Sequence, residues 1–515
     1  MRLWLPVLLF VVGACAPPPP SVMAGGERLT GSSTDNGIHV FRGIPFAEPP
    51  VGMLRWQLPR PYEPRATERD ATAFAPACIQ APRILEWYRD MAETFGATRD
   101  VLDDLEVSED CLYLNIWTPT LNADAALPVL VYIHGGSNSS GWAYEPNYHG
   151  HALATRDAVV VSIPYRLGVF GFFSHPELDN ANYGLWDQVL ALEWVRDNIS
   201  AFGGDPGRVM VFGESAGAQD VLALMASDIA KPLFHSAVLQ STAGFGIGRR
   251  SSPTLADEQA RGVKTAALLG IEGPGSLDRL RAIPADELFR VYDQQPEDYY
   301  HSPAVDGALL KKPVWDVIND GELADIPFII GSNADEWYSS TPADLEKADI
   351  PQRIREKYFL NTDEALAEVV SEADPREAID RIDSAEYMLC PSQYMAARQT
   401  ARNGNAWVYY FSRVRDGDAG ATVRAYHGAE LPYAFGTHDA WMTTTDVDIS
   451  LTRQMMQYWI NIATDGDPNG ENLPAWPAFE GPNGQTMVFG DQSKLAPPQE
   501  PVLCRIFQER LSPTE

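Results

Sequence analysis

The pentapeptide Gly213-Glu214-Ser215-Ala216-Gly217 follows an apolar run at 209–212 and precedes a stretch of helical character. Gly-x-Ser-x-Gly between a strand and a helix is a nucleophile elbow. Its turn is so sharp that the serine takes a strained backbone conformation and only small residues fit at the two flanks. The turn lifts the Ser215 hydroxyl above a sheet and sets it at a helix N-terminus, whose positive dipole end favours developing negative charge. Five such residues recur by chance in many chains; the strand before and the helix after make them specific.

The rest of the chain supplies the sheet that this elbow requires. Short, nearly continuous apolar runs recur at 129–133, 159–163, 209–212, 237–239, 328–330 and 408–411. Unbroken apolar runs, as opposed to alternating ones, belong to strands buried on both faces of a parallel sheet. Between them lie helical patterns: Leu185, Val189, Leu192 and Val195, then Leu451, Met455, Tyr458, Trp459 and Ile462. Strands alternating with helices predict an α/β fold. Polar, acidic stretches at 81–106 and 342–375 read as excursions from one body, and from Gly25 onward there is neither a repeat nor a low-complexity linker.

Several segments carry a family resemblance. Asn182-Tyr183-Gly184-Leu185-Trp186-Asp187-Gln188, Asn198-Ile199 and Phe202-Gly203-Gly204-Asp205-Pro206 lead into the elbow. Upstream stand Phe41-Arg42-Gly43-Ile44-Pro45-Phe46-Ala47, Pro49-Pro50-Val51-Gly52 and Glu109-Asp110-Cys111-Leu112-Tyr113-Leu114-Asn115. Together they closely resemble the type-B carboxylesterase/cholinesterase family, over roughly residues 28–510. The resemblance implies one α/β-hydrolase domain at 28–515, with a mostly parallel twisted sheet flanked by helices and with excursions over an active-site gorge. It implies hydrolysis of a small-molecule carboxylic ester through an acyl-enzyme, without a metal or organic cofactor. The rival is a catalytically silent binding protein of the same superfamily, which would have lost the serine.

A serine hydroxyl needs a base, and the base needs a carboxylate to fix its tautomer. In this fold the chain order is serine, acid, histidine. Beyond the elbow stand His235, on the strand just after it, and then His301, His427 and His438. His427 lies in His427-Gly428-Ala429-Glu430, which resembles the family's His-Gly-x-Glu segment, whereas His438 reads as a surface loop residue. The run at 328–330 leads to Asp335-Glu336, at the strand end where α/β sheets place their sites. The resemblance assigns Glu336, with Asp335 as the alternative. The oxyanion donors are expected from the backbone amides of Gly136, Ser137 and Ala216. In His134-Gly135-Gly136-Ser137, Ser137 departs from the usual Gly or Ala; its hydroxymethyl group either crowds the hole or binds a substrate oxygen.

Further expectations come from the same resemblance. Cys78 pairs with Cys111 and Cys390 with Cys504, and Arg55 with Glu109 forms a buried structural ion pair. Neither Trp87 nor Tyr88 aligns with the tryptophan by which cholinesterases hold their cationic group, so choline specificity is not implied. Read without the resemblance, Glu214 either tunes the site or is filler. Tyr299, Tyr300 and His301 are candidates for the acyl side of the pocket. His149-Gly150-His151 has no third ligand at metal spacing and reads as a loop, and Gly244 to Gly248 reads as a turn.

The first residues are a targeting segment. Met1-Arg2 and the apolar run 3–12 have signal-peptide proportions, too short to span a bilayer. Val12-Gly13-Ala14-Cys15 resembles a bacterial lipobox, which makes 1–14 the signal, Cys15 the lipidated residue and a membrane tether, and 15–27 a Pro-rich spacer. The alternative is ordinary cleavage after Ala24. Either leads to export, to the cell envelope or beyond, where the four remaining cysteines form disulfides. With 39 Lys+Arg against 70 Asp+Glu the net charge is −31, which argues against a nucleic-acid partner. No sequence feature points to an oligomeric state.

Overall fold

The computed structural model describes residues 18–242, 252–296, 301–358, 362–369 and 371–509. Cys15, Gly244 to Gly248, Tyr299 and Tyr300 lie outside these residues. An N-terminal hairpin, β1 (Ser21–Ala24) and β2 (Glu27–Thr30), is extended by β5 (Glu68–Asp70), and β6 (Ala77–Cys78) pairs with β7 (Val107–Ser108). The remaining strands form one eleven-stranded sheet: β3 (Ser32–Ser33), β4 (His39–Pro45), β8 (Tyr113–Thr118), β9 (Leu127–Ile133), β10 (Val159–Ile163), β11 (Gly204–Glu214), β12 (Ser236–Gln240), β13 (Phe328–Asn333), β14 (Ala406–Phe411), β15 (Thr486–Phe489) and β16 (Ser493–Ala496). Their order is β16-β15-β14-β13-β12-β11-β9-β10-β8-β4-β3.

The six apolar runs read from the sequence are the six strands from β9 to β14, and they are mutually parallel. Antiparallel pairs are confined to the two flanks. Along β9, β10 and β11 the side chains alternate between two cores. Val129, Val131, Val159, Val161, Val209 and Val211 face one, with Leu185 and Val189 of helix Tyr183–Asn198 and Val221 of helix Ala216–Ala226. Leu130, Tyr132, Val160, Met210 and Phe212 face the other, with Leu451, Met455 and Trp459 of helix Asp446–Asp465. Burial on both faces is why these strands carry no polar alternation.

The disulfides Cys78–Cys111 and Cys390–Cys504 are formed as expected. Arg55 holds Glu109 through two hydrogen bonds of 2.6 Å each. One boundary moves. Residues 21–27, read as spacer, belong to the fold, because β1 pairs with β2 over four residues and buries Val22 and Ala24. Among the described residues no helix is long and apolar enough to cross a membrane.

Candidate active site

Parallel strands of the central sheet deliver the candidate groups to one edge. The candidate oxyanion loop follows β9, Ser215 follows β11, and Glu336 follows β13. The elbow has the backbone its sterics demand: Ser215 sits at φ 56°, ψ −125°. A Cβ on Gly213 would stand 2.6 Å from the carbonyl carbon of Gly217, and one on Gly217 would stand 2.1 Å from the Ile133 oxygen. Glycine at both flanks is therefore a packing requirement of β11 against β9.

Glu336 is buried, and its Oε2 lies 2.6 Å from His427 Nδ1. Its other oxygen accepts from the Asn333 amide and the Ser241 hydroxyl, both at 2.7 Å. Asp335, the alternative, instead pairs with Arg424 and accepts from the Ala425 amide. Of the two, Glu336 is therefore the carboxylate in contact with the ring. The other imidazole nitrogen, Nε2, faces Glu214 Oε1 at 3.2 Å and makes no hydrogen bond to Ser215. Glu214 is thus a partner of His427 and not filler. Burial pushes its carboxyl up to about 8; His427 opposes the rise, and Glu430, Glu336 and Glu145 add to it. For His427, burial works against the imidazolium, but the carboxylates of Glu214 and Glu336 outweigh it and raise the pKa.

These groups border a cavity of about 230 Å³, which Ser215, His427, Gly136, Ser137 and Glu214 line. Its walls are aromatic: Trp87, Tyr148, Trp337 and Tyr426. Trp337 stacks on His427 with ring centroids 5.7 Å apart and planes 15° from parallel. Ile84 and Trp87 come from helix Arg83–Thr94, inside the first disulfide loop. Ser137 is exposed to this space in the left-handed region, at φ 57°. Among the described residues, the amides of Gly136, Ser137 and Ala216 meet no protein acceptor.

Two sequence expectations change. His438 is half-buried, held between Arg415 Nη2 at 2.9 Å and Thr452 Oγ1 at 2.7 Å, so it is no surface residue. His301 lies away from the cavity. Its Nδ1 is 2.6 Å from Glu258 Oε2 on helix Leu255–Leu268, which draws the ring into a separate core beside Phe173. Glu145 and Trp337 carried no motif and were not foreseen. Their place on the wall comes from loops whose spacing has no period.

Residues 23–502 match the signature of the Carboxylesterase family. The chain belongs to that family. It is 35% identical to the para-nitrobenzyl esterase of Bacillus subtilis, over 89% of this carboxylesterase and 93% of that protein. It is 33% identical to the fumonisin B1 esterase of Sphingopyxis macrogoltabida, over 94% and 90% of the two chains. Among solved structures, a PNB esterase superposes with a TM-score of 0.80 at 31% identity, covering 96% of this chain and 99% of that one. A Geobacillus stearothermophilus carboxylesterase does so with a TM-score of 0.81 at 31% identity, over 95% and 100%. This carboxylesterase is therefore a carboxylic-ester hydrolase of the α/β-hydrolase fold.

Proposed function

We propose that this carboxylesterase works by two-step acyl transfer, with Ser215 as nucleophile, His427 as base and Glu336 as the carboxylate that orients it. The observation that carries this reading is the 2.6 Å contact between buried Glu336 and half-buried His427, on the wall of the cavity that Ser215 also lines. His427 takes the Ser215 proton as the hydroxyl attacks the ester carbonyl, then returns it to the departing alcohol; water repeats the sequence on the acyl-enzyme. The oxyanion rests on the amides of Gly136, Ser137 and Ala216, which are free to donate. For the first proton transfer, His427 Nε2 must exchange Glu214 for the hydroxyl of its chain neighbour, Ser215. Catalytic hydrogen bonds commonly tighten only once substrate is bound.

The cavity and its aromatic walls suit uncharged esters of small acids and aryl or benzyl alcohols, in keeping with the name of the para-nitrobenzyl relative. Turnover of p-nitrophenyl acetate by the parent and by Ser215→Ala tests the mechanism. We expect the substitution to abolish turnover and fluorophosphonate labelling; retained turnover would remove Ser215 from the reaction.

Export by a signal at 1–14, with lipidation of Cys15, is the location we propose. Its support is that cleavage after Ala24 would sever β1 from the hairpin, whereas processing at Cys15 leaves the hairpin whole.

A further inference from the structure

A second constellation lies directly beneath the oxyanion loop and has no part in the scheme above. Asp220 is fully buried and has no salt-bridge partner among the described residues. Its oxygens are met by two neutral amides: Asn138 Nδ2 donates to Oδ1 at 3.0 Å and Gln188 Nε2 donates to Oδ2 at 2.6 Å. Asn138 is itself gripped on other sides. The Tyr165 hydroxyl stands 2.9 Å from both Asn138 Oδ1 and the His134 carbonyl, and the Asn138 carbonyl accepts from the Gly168 amide at 2.7 Å. Tyr165, Asn138, Gln188 and Asp220 are all buried.

Two facts give this cluster a purpose. Ser137 and Asn138 are consecutive non-glycine residues in the left-handed region, at φ 57° and 55°. Such residues cost roughly 1–2 kcal/mol each and persist only where surroundings hold them. Asp220 also sits one helical turn beyond Ala216, on the helix that Ser215 caps. We infer that Asp220, acting through Asn138, is a positioning residue that fixes the amides of Gly136 and Ser137 against the helix carrying the nucleophile and the third donor. One helix then references both halves of the oxyanion hole, across 82 residues of chain. A buried carboxylate without a cation is a poor stabiliser, so a role in holding the donor geometry explains its place better than stability does.

This inference rests on the Ser215 mechanism proposed above, and its test separates the two. Asn138→Gly removes the tie while suiting the left-handed backbone, and Asp220→Ala removes it from the other end. With p-nitrophenyl acetate we expect each to lower kcat by about tenfold to a hundredfold, with KM changed by less than about threefold. Affinity for a boronic acid that adds to Ser215 should fall in parallel, because its tetrahedral oxygen reads the hole. The double variant should be no worse than the poorer single one. Asp220→Asn should recover most of the rate, since the new amide still accepts from Asn138 and Gln188 can turn its unpartnered Oε1 towards it.

Folded variants with the parent's kcat would overturn the inference, as would losses confined to KM or additive losses in the double variant. Asn138→Gly keeps the test decisive if Asp220→Ala does not fold. If instead Ser215→Ala stays active, the mechanism itself is wrong; an inactive Ser215→Ala beside fully active Asn138→Gly and Asp220→Ala removes only the positioning role.

Discussion

Glu214 and Asp220 are both buried carboxyls close to Ser215, and they answer to different neighbours. Glu214 faces His427 Nε2 at 3.2 Å, so its negative form favours the imidazolium and delays the appearance of the neutral base. Raising the pH frees that base, so the acid limb of kcat/KM lies above the ordinary histidine range. Glu214→Gln removes one of the two carboxylates holding the proton. The acid limb should then move to lower pH by about one unit, read from kcat/KM between pH 6 and 11; a limb that stays or moves upward would count against the pairing. Asp220 is different, because burial alone pushes its carboxyl up to about 7, against the donation from Asn138 and Gln188. Its folded pKa is thus above its unfolded one, and the folded state is penalised as pH rises from about 4 towards 7, fully so above that. Asp220→Asn removes the penalty. Its Tm should exceed the parent's by a few degrees at pH 8, with the difference shrinking towards pH 5; a constant difference would mean that the carboxyl is not titrating in this range.

At the scale of elements, the two disulfides do different work. Cys78–Cys111 closes the loop that carries helix Arg83–Thr94, from which Ile84 and Trp87 reach the cavity wall. The helix docks through Tyr88 on Asp439, through Trp87 on Tyr426 at 5.8 Å, and through Tyr88 on Trp441 at 5.7 Å. Cys390–Cys504 instead joins helix Cys390–Asn403 to the C-terminal helix Pro501–Gln508, in a core apart from the cavity. Replacing Cys78 and Cys111 by Ser should raise KM severalfold with a modest fall in Tm. Replacing Cys390 and Cys504, which span 114 residues, should cost about 2–5 kcal/mol of stability and leave KM nearly unchanged. Steady-state kinetics and thermal melts on the two double variants check this, and a reversal of the pattern would refute the division of labour.

For the whole molecule, the folded body includes the hairpin upstream of residue 28. A mature chain starting at Gly25 would lack β1, which covers part of the first core through Val22 and Ala24. Mass spectrometry of the mature N-terminus should therefore find a lipidated Cys15, and Cys15→Ser should release the enzyme from the membrane fraction. An unmodified chain beginning at Gly25 would refute the anchor.

Much of this was legible from sequence, because it depends on short-range rules. Unbroken apolar runs mark the six parallel strands, the elbow's glycines follow from its own turn, and the chain order of serine, acid and histidine limits the candidate bases, after which the family resemblance selects His427 and Glu336. The structure brings Glu336 and His427 into hydrogen-bond contact and sets Ser215 on the same cavity. What the sequence left open are relations between residues far apart in the chain. Whether Glu214 was filler and whether His301 lined the pocket were settled only by packing. Glu214 meets a histidine 213 positions further along the chain, in no motif's register, and Asn138 meets Asp220 across 82 residues. The elbow is a property of five neighbouring residues; the field and the donor geometry around it belong to the folded sheet.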